Sequence, residues 1–263
     1  MLWSTSTLSR PENPSSTQVE GSTMTSPTVV LVHGAFADAS SWSGVIAELQ
    51  AAGVNVTAPP NQLRGIPTDA AYLTSFVNQL GGPTLLVGHS YGGALITQSG
   101  TDARDVVGLV FVAAFAPEAD EKLADINARY PGIPLSAAQR TLTYPTGDGE
   151  SGTEVLIDHA SFHDAFCADV PVERARVMAL TQRPVAVDAF TSVVTGTPAW
   201  HSLPSWAIVA TADHAIHPDA ERDMAKRAGA EFVELDASHA VAVSQPERVA
   251  EVILQAVQGT SSG

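Results

Sequence analysis

The stretch TLLVGHSYGGA (84–94) drives an apolar run straight into Gly88-His89-Ser90-Tyr91-Gly92-Gly93. A plain turn needs a single glycine, yet here Gly88 and Gly92 stand two residues either side of Ser90 and Gly93 follows. That spacing suits a nucleophile elbow, a strained strand-to-helix turn that projects a serine hydroxyl above a sheet. Small flanking residues are needed because neighbouring backbones crowd such a turn. The pattern is weak on its own in a chain rich in glycine and serine, so its context has to decide.

Working outward, TVVLVHGAF (28–36) is an apolar, β-branched run ended by a glycine, and VIAELQAAG (45–53) puts Val45, Ile46 and Leu49 on one helical face. VNVTAPP (54–60) reads as a strand halted by prolines, and DAAYLTSFVNQLGG (69–82) as a helix with Tyr72, Leu73, Phe76, Val77 and Leu80 on its buried side. VVGLVFVAAF (106–115) is apolar throughout, as a strand covered on both faces must be. The pattern resumes with strand SWAIVATAD (205–213), a helix from Pro218, strand EFVELDAS (231–238) and a last helix opening on the capping box SQPE (244–247). Val249, Val252, Ile253, Ala256 and Val257 form the apolar stripe of that helix.

Strands alternating with helices predict a doubly wound, mostly parallel α/β sheet of about six or more strands. Over 116–204 the alternation fails among many prolines and an acidic, glycine-rich loop (146–154), so this segment is expected to be a helical lid inserted after the fourth strand. The domain then covers 28–258, preceded by a flexible extension (1–27) in which Met24 is an alternative start, and followed by a disordered tail (259–263).

Composition narrows the function. A net charge of −15 argues against a nucleic-acid partner, because phosphates would be repelled. No window matches the ~18 apolar residues of a membrane span, and the extension lacks the apolar stretch of a secretory signal; the expected location is the cytoplasm. The lone Cys167 excludes an internal disulfide and a cysteine zinc site. His159 and His163 have helical metal spacing but no third ligand in view, so no metal and no cofactor is expected.

Ligands of an open parallel sheet sit beyond the carboxyl ends of its strands. Ser90, Asp213 and His239 fall at three such ends, in the chain order Ser, Asp, His expected of an α/β-hydrolase. A serine hydroxyl becomes a nucleophile when an imidazole takes its proton, and a carboxylate holds that imidazole in the right tautomer. Asp120 and Glu118, after the preceding strand, are the alternative acids. The backbone N–H groups of Ala35, in HGAF (33–36), and of Tyr91 are placed to receive an oxyanion. His33 and His89 read as structural hydrogen-bonders. Phe36, Phe115, Phe162, Phe166 and Trp200 are candidates to line an apolar substrate pocket.

VLVHGAFADASSW, LLVGHSYGGALI, LVFVAAFAPE, PAWHSLPSWAIVATADHAIHP and ASHAVAVSQPERV together resemble the α/β-hydrolase superfamily, in particular the branch of the plant methyl-ester hydrolases, the hydroxynitrile lyases and their bacterial relatives. The resemblance spans 28–257 and implies Ser90 as nucleophile, Asp213 as acid, His239 as base, and Ala35 with Tyr91 as oxyanion donors. The lyases of this branch carry a threonine and a lysine where this chain has Gly34 and Ala240, which disfavours cyanohydrin cleavage. The resulting expectation is a serine hydrolase that cleaves a small carboxylic ester through an acyl-enzyme. Lactone or amide cleavage, lyase or perhydrolase chemistry on the same triad, and a non-catalytic small-molecule receptor are the alternatives. An apolar lid surface could support a homodimer.

Overall fold

The computed structural model describes residues 26–147 and 149–261. The expected extension therefore lies outside the described residues apart from Ser26 and Pro27. The strands are β1 (Thr28–Val32), β2 (Val56–Thr57), β3 (Thr84–His89), β4 (Val106–Val112), β5 (Gln139–Pro145), β6 (Ser151–Ile157), β7 (Val185–Ala186), β8 (Ser205–Ala210) and β9 (Glu231–Leu235). Six of them form a parallel sheet in the order β2-β1-β3-β4-β8-β9. These are the six strands expected from the apolar runs, each shorter than the run that announced it. The order reverses direction between β1 and β3, and this topological switch point is where an open α/β sheet holds its ligand.

Successive residues of a strand face opposite ways, and this sheet is covered on both sides. Val29, Leu31, Leu85 and Val87 pack with Val45, Leu49, Val249 and Ile253, from helices α1 (Ser43–Ala51) and α11 (Pro246–Thr260). Val30, Val32 and Leu86 pack on the other side with Leu73, Leu95, Ile96 and Met224, from α2 (Ile66–Val77), α3 (Tyr91–Asp102) and α9 (Pro218–Arg227). A helix on each face explains why β3 is buried along its whole length.

Three expectations change. The segment between β4 and β8 is an insertion, but a mixed one. It carries short helices α4 (Leu123–Ala128), α5 (Pro134–Ala137), α6 (Phe162–Phe166), α7 (Val172–Thr181) and α8 (Asp188–Thr191), with β5, β6 and β7 joined in an antiparallel sheet. The expected acidic, glycine-rich loop is partly strand, since its residues 151–154 belong to β6. Arg64 ties this sheet to the core through Glu154 at 2.7 Å and by lying 4.1 Å above the Tyr144 ring.

The capping box at 244–247 does not form. Ser244 ends a short helix, α10 (Val241–Ser244), where its N–H is spent on the Ala240 carbonyl, so Gln245 becomes the N-cap of α11 and makes no side-chain cap. The tail is also shorter than expected. α11 runs to Thr260, Gly259 lies against the Trp206 indole, and only 262–263 fall outside the described residues there. No described helix is long and apolar enough to cross a membrane.

Candidate active site

β3 delivers Ser90 at its end, and α3 starts at the next residue. Ser90 has φ 54°, ψ −122°, a conformation few non-glycine residues adopt. The strain is held by backbone bonds: Ser90 N–H donates to Val112 at 3.3 Å, and the Ser90 carbonyl accepts from Gly93 at 3.0 Å and Phe115 at 3.2 Å. The glycines have steric reasons. A Cβ on Gly88 would stand 2.6 Å from the Gly92 carbonyl; one on Gly92 would strike the Val32 carbonyl, and one on Gly93 the Phe115 carbonyl. The helix can thus leave Ser90 at a sharp angle and still rest on β1 and β4.

His239 follows β9, and its Nδ1 meets Asp213 Oδ2 at 2.5 Å; both side chains are buried. Asp213 Oδ1 accepts the N–H groups of Ala215 at 2.6 Å and Ile216 at 2.9 Å. Burial works to raise the Asp213 pKa, yet the His239 charge and hydrogen bond, with help from Glu221 and the Ile216 N–H, prevail and hold it below the usual carboxylate range. The imidazole Nε2 is left free of that pairing. The alternative acids are elsewhere: Glu118 pairs with the exposed His201 at 3.1 Å, and Asp120 is exposed.

Ser90 and His239 share the wall of a cavity of about 510 Å³, together with Ala35, Phe36 and Phe115. The Ser90 hydroxyl makes no hydrogen bond among the described residues, an arrangement that commonly tightens only when substrate arrives. Tyr91 N–H is the first of α3 and has no intrahelical acceptor. Ala35, in the turn after β1, likewise finds no acceptor for its N–H among the described residues. A Cβ on Gly34 would stand 2.6 Å from the Ser90 Cβ, so the threonine of the lyases has no room here.

Of the five aromatic candidates, Phe36 and Phe115 line the cavity. Phe166 instead sets its edge against the His239 ring at 5.1 Å, and Phe162 packs against Phe166 with the rings tilted by 38°. Trp200 is spent on the Pro117 carbonyl and on His201, stacked 4.0 Å away. Apart from Ala215 and Ile216, which follow β8, the rest of the wall comes from the insertion, including Asn127, Tyr130, Ile133, Gln139, Val155 and Phe190. These were not legible, because nothing in a single chain says which side of a short helix or hairpin faces the sheet. Apart from His239 the wall carries no ionisable acid or base among the described residues other than the Tyr130 phenol, whose hydroxyl bonds Asp223 at 2.6 Å.

Both supporting histidines are neutral hydrogen-bonders, as expected. His33 Nδ1–H donates to the Gly34 carbonyl at 2.9 Å while its Nε2 accepts the Asn61 N–H at 3.0 Å. His89 Nε2–H donates to the His239 carbonyl at 2.9 Å. His163 bonds the Val170 carbonyl, and no cluster of metal-binding side chains occurs among the described residues. Two buried acids escaped the sequence reading. Asp69 accepts the Tyr91 hydroxyl at 2.8 Å and the N–H groups of Arg64 and Gly65, bracing the elbow from beneath. Glu221 lies against Asp213.

Solved structures share this architecture. Polyneuridine aldehyde esterase superposes with a TM-score of 0.76 over 88% of this chain and 99% of its own, at 19% identity. A pyrethroid hydrolase from Sphingobium faniae JZ-2 gives 0.71 over 90% and 99%, at 22% identity. Tomato methylketone synthase I, complexed with 2-tridecanone, gives 0.73 over 90% and 99%, at 19% identity. Identities this low speak for the fold alone. No curated protein sequence matches the chain. The family model described as "Alpha/beta hydrolase family" matches residues 29–252, from the first strand of the sheet into its last helix, and the chain belongs to that family.

Proposed function

We propose that the protein is a serine esterase acting on a small, uncharged carboxylic ester. Ser90 Oγ attacks the ester carbonyl carbon while His239 Nε2 takes the hydroxyl proton, and Asp213 steadies the imidazolium through Nδ1. The oxyanion that forms is received by the N–H groups of Ala35 and Tyr91. His239 then returns the proton to the departing alcohol, and water, activated by the same ring, releases the acid from Ser90. This chemistry calls for no cofactor.

The observation that carries the reading is the buried Asp213–His239 pair opening onto the same cavity as a strained serine at a helix N-terminus. Apart from His239 and the Tyr130 phenol the described cavity wall carries no acidic or basic side chain, which, in a chain of net charge −15, supports a neutral substrate, since a buried charge would go unpaired there. Two of the fold neighbours are named an esterase and a pyrethroid hydrolase, which agrees with ester cleavage.

The test is incubation with a fluorophosphonate followed by peptide mapping, with Ser90→Ala as control, and then a panel of neutral esters. Labelling confined to Ser90, and ester turnover lost in Ser90→Ala, are expected. Turnover retained by purified Ser90→Ala sinks the proposal, and absence of labelling in well-folded protein moves the receptor reading to the front.

A further inference from the structure

Glu221 stands eight residues beyond Asp213 on α9, yet it is only 4% exposed. Its Oε2 accepts the N–H of Ala210, the last residue of β8, at 3.0 Å; its Oε1 is buried and meets no donor. The carboxyl it touches is that of Asp213. Two ionised carboxylates this close repel, so one of them keeps a proton. The donors decide which. Asp213 already receives Ala215, Ile216 and His239, whereas Glu221 receives Ala210 alone. Around Glu221 the strands present Phe111, Ala207 and Val209, and the nearby charge is Arg222 on its own helix, engaged with Asp219 and Glu234.

We propose that Glu221 is a positioning residue of the site: as a neutral acid it donates its carboxyl hydrogen to Asp213 and holds that carboxylate ionised and aimed at His239. The orphaned Oε1 is then the hydroxyl of the acid, and the apparent lack of a partner disappears. Burial, followed by the Asp213 charge, pushes Glu221 well above the usual carboxylate range. The effect on His239 rests on the esterase reading; the proton on Glu221 does not.

Infrared spectra of the full chain and of Glu221→Gln at pH 7 test the proton directly. The carbonyl band of a protonated carboxylic acid is expected in the wild type and missing from the variant. Matching bands in the two proteins would overturn the proposal. The pH profile of fluorophosphonate labelling at Ser90 tests the positioning. Glu221→Gln keeps an N–H for Asp213 and an oxygen for Ala210, so its rate should stay within about twofold of wild type. Glu221→Leu offers neither and should label about 10- to 100-fold more slowly. Its acidic limb should move to higher pH, because an Asp213 short of one donor holds the imidazolium more tightly. Equal slowing of both variants with unmoved limbs would mean a packing role and overturn the positioning claim. Should Glu221→Leu fail to fold, the Gln variant and the infrared band decide. Should the wild type resist labelling, the esterase reading fails while the band still reports on Glu221.

Discussion

His33 makes the region around the site sensitive to acid, chiefly because its ring is buried. Its Nε2 accepts the Asn61 N–H, so a proton placed there would point one donor at another and leave a charge in a fully buried position. Burial first, then Arg183, lowers its pKa from 6.5 to about 4, against the opposing pull of the Gly34 carbonyl and Asp38. Between those two values the unfolded chain binds a proton that the folded chain refuses, so the contribution of His33 to stability is complete above pH 6.5 and is lost as pH falls towards 4. At about 1.4 kcal/mol per pH unit the loss comes to roughly 3 kcal/mol. Urea unfolding at intervals from neutral pH down to 4, on the wild type and on His33→Gln, isolates it. His89, held down to about 3 by burial and by His239, remains in both proteins and cancels from the difference. The variant should start less stable and then lose about 3 kcal/mol less over the window. A stability difference that stays constant across that range would refute the reasoning.

Two further outcomes follow from contacts at the elbow. Gly34→Ala puts a Cβ 2.6 Å from that of Ser90, and displacing the nucleophile by even a fraction of an ångström should cut kcat/KM for an ester on the order of 10²-fold; unchanged kinetics would show that the turn yields without moving Ser90. Tyr91→Phe removes the hydroxyl that Asp69 accepts beneath the elbow, so the chemical unfolding midpoint should fall by the equivalent of about 1–3 kcal/mol, and an unaltered midpoint would mean that the bond contributes nothing net.

The sheet was legible because its strands are covered on both faces. Runs such as TLLVGH and VVGLVFV have no polar alternation to confuse them. The insertion was harder for the opposite reason. β5 is exposed along most of its length, so Gln139, Arg140 and Thr141 stand where a sandwiched strand would carry valine and leucine. Its hairpin is made by pairing with β6, which local composition does not announce. Ser244 failed as a cap for a related reason: its spacing to Glu247 fits a capping box, but the chain turns into α10 first and uses up the geometry.

At the candidate site, Ser90, Asp213 and His239 could be found because each lies within a few residues of a strand end, where topology brings distant segments to one edge. Asp69 and Glu221 could not. Asp69 lies in the first turn of α2 and Glu221 in the first turn of α9, where an acid is ordinary and favoured by the helix dipole in full contact with water. Both are buried because the residue they serve, Tyr91 or Asp213, comes from another element and reaches them only once the sheet has formed. Their energetics differ in kind from those of His33. Asp69 and Glu221 are both raised, chiefly by burial, so each weakens the fold as pH rises from the unfolded carboxyl value towards its own, while His33 and His89 weaken it as pH falls. The region around Ser90 is thereby pressed from both sides, by its two histidines as pH falls and by its two buried acids as pH rises.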